Sequence, residues 1–570
     1  MRSERDRTWR PSVPPRGSGW VRSSLCRLTF RLHTHAPARL CQNRITDSFL
    51  FVLVRVNSWI AGYAPRKSIH EFTLNNTKKK RPRRTRVLTQ PLPRGRADCL
   101  KACLVAVLIL CLVGQCSLAI AQQPARDVSK ETARSTRDWV RDGVIYEIYP
   151  RDFSSQGDFK GVTAKLDDLK QLGVTILWLM PIHPIGQEKK KGTIGSPYAV
   201  RDYYAINPEY GTKQDLKQLI SESHRRGMKV IIDIVANHTS WDSVLMKHPE
   251  FYKRDAKGNI TYPHDWYDIA ALNYTNQQLR VYMTDMLKYW VREFDLDGFR
   301  CDVAGEVPTD FWENARLELE KIKPDIVMLA EAHKPELLVK AFDLDYSWPL
   351  HSALTDVLQG RMPASQLRVV WEQEVKESPG KAIHMRFSDN HDERRAIARF
   401  GEPASLAASA LVFTLDGVPM LYNGMEVGDT TESGAPALFE KLPIFWSISE
   451  RRPEFGRFYH EMLALRRTSE ALRRGSLEWV RNSDDSRVIT YVRQTPTEEL
   501  LIAINLSSRP YFGNVEIGNG TTYLEVTPDI SAPLPPDAPA PEKRVNKRTV
   551  GLPALQLDAW GYRFFRRVTK

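Results

Sequence analysis

Asp302 stands two residues after Arg300 in the run Phe294–Val303, F-D-L-D-G-F-R-C-D-V. On a β-strand, residues i and i+2 point to the same face. A guanidinium and a carboxylate would therefore lie side by side at a strand end, with Gly298 read as the turn of the run. A neighbouring guanidinium keeps a carboxylate ionised and aimed, which suits a carboxylate nucleophile. For this stretch alone, a buried structural ion pair explains the residues equally well. Three further stretches of the same kind tip the balance.

Such a pair works only on a scaffold that brings partners to it. From Gly143 the chain reads as strands alternating with helices. Val144–Tyr149 is a strand, and Val162, Leu166, Leu169 and Leu172 follow at helical spacing with Gly173 placed to end the helix. Val174–Met180 is a second strand, a helix through Leu216, Leu219 and Ile220 ends at Gly227, and Val230–Val235 is a third strand. Asn276 is placed to cap a long helix running to Phe294. The Arg300 stretch is the fourth strand; Ile326–Ala330, Ala341–Leu344, Ala382–Phe387 and Leu411–Leu415 bring the number to eight. Eight strands alternating with helices predict an α/β fold, a closed (β/α)8 TIM barrel, over 141–472. An open doubly wound sheet is the alternative, but no G-x-G-x-x-G follows the first strand. The 36 residues 239–274 form a short insertion after the third strand. Beyond 475, short period-2 strands at Leu477–Val480, Val488–Val492, Leu500–Leu506 and Leu555–Phe565 predict a C-terminal antiparallel β-sandwich, with the Pro-rich 533–541 as a surface loop.

In a β/α barrel the chemistry sits at the C-terminal ends of the strands. The third strand ends in Asp233 and then Asn237-His238, the fourth in Arg300 and Asp302, the fifth in Glu331, and the seventh in Asp389-Asn390-His391-Asp392. Carboxylates, histidines and an arginine from four strands would thus face one mouth. Glycoside cleavage needs such a set: one carboxylate ionised and another protonated. Arg300 is expected to depress the pKa of Asp302. Glu331 follows an apolar strand with no adjacent cation, so burial can keep it protonated.

The four segments, D-I-V-A-N-H, G-F-R-C-D-V, L-A-E-A and F-S-D-N-H-D, resemble the signature regions of the α-amylase family, glycoside hydrolase family 13. S-P-Y-A-V-R-D-Y at 196–203, N-P-E-Y-G at 207–211 and L-Y-N-G-M-E-V-G at 421–428 also match, and the likeness covers roughly 140–568. The resemblance implies a retaining hydrolase of α-glucans such as starch and malto-oligosaccharides. In it Asp302 is the nucleophile, Glu331 the general acid and base, and Asp392 the carboxylate that holds sugar hydroxyls. Arg300 would orient Asp302, His238 and His391 would bond the sugar, Tyr198 would stack beneath it, and Asp202 would belong to the substrate-binding set.

The pattern departs from the family in two places. Many members carry Lys-His shortly after the nucleophile, with the His carbonyl on calcium; here Val303-Ala304-Gly305-Glu306 stands there. Asn237 keeps one calcium-ligand position. The loop Ser154–Asp158 holds a single carboxylate, too few for a cation that takes six to eight oxygens. No cofactor is required by this reading, and calcium is left open. Val303 resembles oligo-1,6-glucosidases, whereas the short insertion suits an open groove for longer glucans. Trp266, Tyr267 and Trp348 are candidate sugar platforms, with a core or loop role as the alternative.

Charge divides the 570-residue chain in two. The net charge of +14 comes from residues 1–121, which carry 23 Lys and Arg against 5 Asp and Glu; the rest carries 59 against 63. The acidic body gives no argument for a nucleic-acid partner. Six cysteines lie in the first 121 residues and only Cys301 beyond, so the body has no internal disulfide and no thiolate metal cluster. Residues 1–86 read as a nuclear or nucleic-acid-binding arm, a disordered tail, or, the favoured reading, upstream DNA translated from too early a start. Residues 87–121 read as a secretory signal peptide: basic residues, the apolar core 102–113, then Ala119-Ile120-Ala121. A single membrane span over 102–121 is the alternative. The expectation is a secreted or periplasmic enzyme with no stable membrane association after cleavage, and 122–140 as a linker.

Two rivals share the scaffold. A transglycosylase, trehalose-forming enzyme or α-1,6-glucosidase would use the same residues. A membrane-anchored, non-catalytic amylase-like subunit would have no physical reason to keep Asp302, Glu331 and Asp392 together.

Overall fold

The computed structural model describes residues 126–568 apart from 435–436, 518–521 and 531–548. The expected leader 1–86, the signal peptide 87–121 and the Pro-rich loop 533–541 lie outside the described residues. Among the described residues no helix is long and apolar enough to cross a membrane.

Ten strands come first in chain order: β1 Ile145–Ile148, β2 Ile176–Leu179, β3 Lys229–Ile234, β4 His238–Ser240, β5 Ile269–Ala271, β6 Gly298–Cys301, β7 Val327–Ala330, β8 Leu344–Tyr346, β9 His384–Arg386 and β10 Val418–Tyr422. All but β4 and β5 close into a parallel barrel in the order β1-β2-β3-β6-β7-β8-β9-β10. The barrel expected from the alternating pattern is therefore present. β4 and β5 form an antiparallel ribbon within the insertion, with His238 opposite Ala271.

Local sequence explains most boundaries. Asn276 accepts from the amides of Gln278 and Leu279 and caps the helix Gln277–Phe294. Thr212 and Asp215 make a reciprocal capping box for Lys213–Arg225. Gly173 ends its helix at φ 109°, a conformation that side chains resist. Gly298 differs from the expected turn. The reversal falls on Asp295, at φ 55°, and Gly298 is the first residue of β6. A Cβ there would lie 2.0 Å from the Val327 carbonyl oxygen, so only glycine lets β6 approach β7.

Three strand assignments need correction. Leu411–Leu415 is not a strand: the helix Glu402–Thr414 takes most of it, and β10 is the eighth strand. Every residue from Ala404 to Thr414 is buried, so no polar face marks the helical period. The sixth strand, expected at Ala341–Leu344, begins only at Leu344, after a helix Leu337–Lys340. Leu555–Phe565 is two strands with a turn between. Nor is 122–140 a free linker where it is described. The Ala133 and Arg134 amides donate to the Gly380 and Leu338 carbonyls, and Arg134 bridges Glu320 and Asp343 at 2.7 and 3.2 Å.

The C-terminal part holds β11 Ser476–Trp479, β12 Val488–Gln494, β13 Glu498–Asn505, β14 Tyr511–Asn514, β15 Thr522–Glu525, β16 Thr549–Gly551, β17 Ala554–Leu557 and β18 Tyr562–Val568. They make a six-stranded sheet, β11-β12-β13-β18-β15-β16, and a pair, β14-β17. Period 2 sorts the central strands. Val488, Val492, Leu501, Ala503 and Phe565 join the small core under β14-β17. Ile489, Tyr491, Leu500, Ile502, Ile504 and Phe564 join the barrel's own core.

Gly298→Ala is expected to push β6 and β7 apart at a cost of ~3 kcal/mol. Gly258→Ala, where a Cβ meets nothing within 4 Å but φ is +85°, should cost only ~1–2 kcal/mol. Equilibrium unfolding of both variants checks the difference; equal costs would remove the close-approach explanation.

Candidate active site

Register does the positioning. Asp233 of β3 is level with Arg300 of β6, and Cys301 of β6 is level with Ala330 of β7. The next residues, Asp302 and Glu331, therefore leave adjacent strands at the same height. Arg300 is fully buried and meets all three carboxylates. Its Nη1 donates to Asp233 Oδ1 at 2.9 Å, to Asp233 Oδ2 at 3.0 Å and to Asp302 Oδ1 at 3.1 Å. Its Nη2 lies 2.9 Å from Glu331 Oε2, without an aligned hydrogen bond. Its Nε donates to the Tyr346 hydroxyl at 3.3 Å. The rings of Trp178, Tyr198 and Tyr346 stand 5.1 to 5.6 Å from the guanidinium carbon.

The other half of the site hangs on His391. Its Nδ1 pairs with Glu147 Oε1 at 2.5 Å, and its Nε2 lies 2.7 Å from the Tyr198 hydroxyl and 3.3 Å from Asp392 Oδ2. Burial disfavours charge on this ring, but Asp392 and Glu147 outweigh it and push its pKa up to about 9. As imidazolium it donates from both nitrogens, and the Tyr198 hydroxyl donates onward to Asp233 Oδ2 at 3.0 Å. The Tyr198 and His391 rings stack at 5.2 Å. One chain of hydrogen bonds thus links Glu147, His391, Tyr198, Asp233, Arg300 and Asp302. His238 is different: burial lowers it to about 3, so it is neutral, and its Nε2 stands 3.9 Å from Asp302 Oδ2.

The carboxylates that face the mouth differ in exposure. The side chains of Asp302 and Glu331 are 10 and 12% exposed, that of Asp392 39%. Arg300 does pull the Asp302 pKa down, as expected, but the pull is outweighed. Burial pushes Asp302 well above the usual carboxylate range, and Glu331 beside it adds to the rise against the pull of Arg300. Burial also raises Glu331, opposed by Arg300, and Asp392 adds to that rise. Glu331 does have an adjacent cation, contrary to expectation, because Arg300 reaches both strand ends. Asp233, Asp302 and Glu331 crowd one guanidinium, so none of them titrates independently. Asp302 Oδ2 is buried and has no hydrogen-bond partner. Glu331 Oε2 accepts from the Val303 amide at 2.8 Å.

Asp202 is not brought into this network. Its carboxylate accepts from the Tyr204 amide at 2.9 Å, a local turn bond. Asn237 serves no calcium cage: its amide nitrogen donates to Glu306 Oε2 at 3.0 Å, and Glu306 Oε1 pairs with His264 Nε2 at 2.5 Å. One carboxylate, an imidazole and an amide do not fit a cation that takes six to eight oxygens. The Asn237–Glu306–His264 bridge ties the insertion to the loop after Asp302. Trp266 stands beside His238 at 5.9 Å, Trp348 stacks on Tyr346 at 5.4 Å, and Tyr267 is exposed. Glu147, Tyr346 and Glu306 were missed from sequence. The signal for Glu147 was there: a lone carboxylate inside the apolar V-I-Y-E-I-Y.

The family model for the α-amylase catalytic domain matches residues 133–269 and 264–488. α-Amylase MalA of Haloarcula japonica is 29% identical over 405 residues, 68% of this chain and 58% of that protein. Cyclomaltodextrinase of Geobacillus thermopakistaniensis is 27% identical over 420 residues, 65% of this chain and 70% of that protein. Among solved structures, an α-amylase from Lactobacillus plantarum superposes with a TM-score of 0.65 at 30% identity, over 76% of this chain and 100% of that one. The maltogenic α-amylase AmyB of Thermotoga neapolitana gives the same score and identity, over 76% of this chain and 98% of its own. With the catalytic-domain match running through all four strand ends that carry the motifs, this chain belongs to the α-amylase family.

Proposed function

We propose that the protein is a retaining glycoside hydrolase that cleaves α-glucosidic bonds in starch-type glucans and malto-oligosaccharides. The observation that carries this is the pair of carboxyls on one guanidinium. Arg300 binds Asp302 Oδ1 and leaves Oδ2 without a partner, while Glu331 sits against its other nitrogen. Sharing one fork suits the short gap of about 5–5.5 Å that retention needs.

In the first step Asp302 Oδ2 attacks the anomeric carbon. The glycosidic C–O bond breaks, and Glu331 gives its proton to the departing oxygen. The step requires the charge on Asp302, where the Arg300 hydrogen bond to Oδ1 supports it against the rise that burial imposes, and the proton on Glu331, which burial also favours. In the second step water attacks the same carbon, Glu331 takes its proton, and the ester bond to Asp302 breaks. Asp392, the most exposed of the three, is placed to hold sugar hydroxyls, and neutral His238 can donate to the ring beside Asp302. Both ring nitrogens of His391 are engaged within the protein, so its part is to hold Tyr198 and Asp392. The named relatives act as α-amylases, maltogenic amylases and cyclomaltodextrinases, so cyclic maltodextrins belong among the substrates to test. Export from the cytoplasm is part of the proposal, supported by the apolar run Ala102–Val113 before Ala119-Ile120-Ala121.

Release of sugar from starch, maltotriose, a cyclomaltodextrin, isomaltose and trehalose tests the assignment. Asp302→Asn should lose ~10⁴-fold or more on every substrate that is cleaved. Glu331→Gln should lose ~10²–10⁴-fold on natural glucans. On an aryl α-maltoside whose leaving group needs no proton, Glu331→Gln should still form the covalent intermediate. Equal sugar release by Asp302→Asn would refute the nucleophile.

His391 gives a pH test. Its folded pKa of about 9 is raised above the ordinary 6.5. The stability it supplies is complete below about 6.5 and is lost as pH rises through about 9, on the order of 3 kcal/mol. Glu147→Gln should flatten that loss between pH 6.5 and 9.5 in thermal unfolding. An unchanged slope would show that His391 is not the titrating group.

A further inference from the structure

Two arginines are buried at the foot of the barrel, at the end away from the catalytic mouth. Arg466 and Arg493 are each about 1% exposed. Arg466 donates to the carbonyls of Gly143, Leu472, Arg141 and Gly417. Arg493 donates to those of Thr414 and Gly475, and its Nε has no partner. Among the described residues neither lies within ion-pair distance of a carboxylate. Carbonyls satisfy the N–H groups but supply no counter-charge, and a buried cation without one is costly. Burial and the neighbouring Arg493 lower Arg466 to about 9.

A cavity of about 640 Å³ opens beside Arg493, where β9 and β10 begin. Arg141, Lys381, Arg473 and Arg474 stand in its wall, and Asp416 is the one carboxylate there. Asp416 is held by Arg386 at 3.0 Å and by Trp371 at 2.8 Å; it also attracts Arg493, but from beyond ion-pair distance and without offsetting that cation's burial. Arg473 and Arg474 are answered by Asp142 at 3.4 and 2.7 Å. The side chains of Arg141 and Lys381 have no ion-pair partner among the described residues. Positive charge is thus left over on three sides of one polar cavity: Arg141 before β1, Lys381 before β9, and Arg493 on β12.

We propose that this cavity binds a small oxyanion of the phosphate class, free or as a sugar phosphate ester, which supplies the missing counter-charge. Such an ion accepts several N–H groups at once from guanidinium forks and an ammonium. It would join the barrel to the C-terminal sheet, since Gly475 and Arg493 belong to one side of the cavity and Arg141 and Gly417 to the other. Its effect is on stability, by binding the folded state and not the unfolded one. The inference is independent of the proposed hydrolase activity, because no residue of the cavity touches the catalytic carboxylates.

Thermal unfolding of the full chain at pH 7 tests it, with inorganic phosphate titrated against chloride at matched ionic strength. The expected result is a saturable rise in Tm of several degrees with phosphate and none with chloride. A glucose 6-phosphate arm separates the sources: a larger rise at equal concentration assigns the ester, an equal or smaller one assigns free phosphate. The double variant Arg141→Gln/Lys381→Gln should keep the Tm without phosphate and the activity on starch, but lose the saturable rise. Lys381→Gln alone, at an exposed position, should weaken phosphate binding several-fold in calorimetric titration and guards against misfolding of the double variant. A phosphate rise no greater than that of chloride, or one retained in both variants, overturns the proposal.

Discussion

Sealing the Arg300 guanidinium from water would cost several kcal/mol if it stood alone. Asp233, Asp302 and Glu331 surround it instead, and three aromatic faces close the remaining directions. That arrangement requires β2, β3, β6, β7 and β8 to end at one level, since each contributes to the cluster or stands beside it. The close approach of β6 to β7 at Gly298 sets part of that level. Charge balance follows from the same cluster. Burial raises both Asp302 and Glu331, and with one guanidinium among three buried carboxylates the surplus of negative charge adds to the rise. A glycosidase needs a proton and a charge on two carboxylates at once, and this shared cation can hold both in one small volume.

Much of this was legible along the chain, and what was not has physical causes. β1, β2, β3 and β7 are short apolar runs after glycine or polar turns, and buried parallel strands read that way. The eighth strand was misplaced because the helix Glu402–Thr414 is buried all round and carries no period to read. The four strand ends were legible because charged residues at the close of apolar runs stand out. Ionisation was not. The Arg300–Asp302 spacing is local, but the approach of Glu331 to the same guanidinium depends on register between two strands. Asp202 stands in a motif-like stretch too, yet the bond the structure gives its carboxylate is to its own turn and not to the cluster.

Two residues with side chains adopt left-handed backbone near the mouth, Val303 at φ 34° and His264 at φ 52°. For a β-branched residue that conformation is strained by about 1–3 kcal/mol. Val303 gains from it an amide aimed at Glu331 Oε2, and Glu306, three residues on, is gripped by Asn237 and His264. The strain is therefore held by a bridge of protein groups at the position where sequence left room for calcium.

The six-stranded C-terminal sheet has apolar residues on both faces, and one face packs on the helices around the barrel and is continuous with the core they share with it. A module with its own sealed interior can melt or be cut away alone. This one cannot, because removing it would bare a plane of isoleucine, leucine and phenylalanine partners to solvent. Hydrogen exchange in β13 should then slow to the rate of the barrel strands, and the two halves should behave as one cooperative unit.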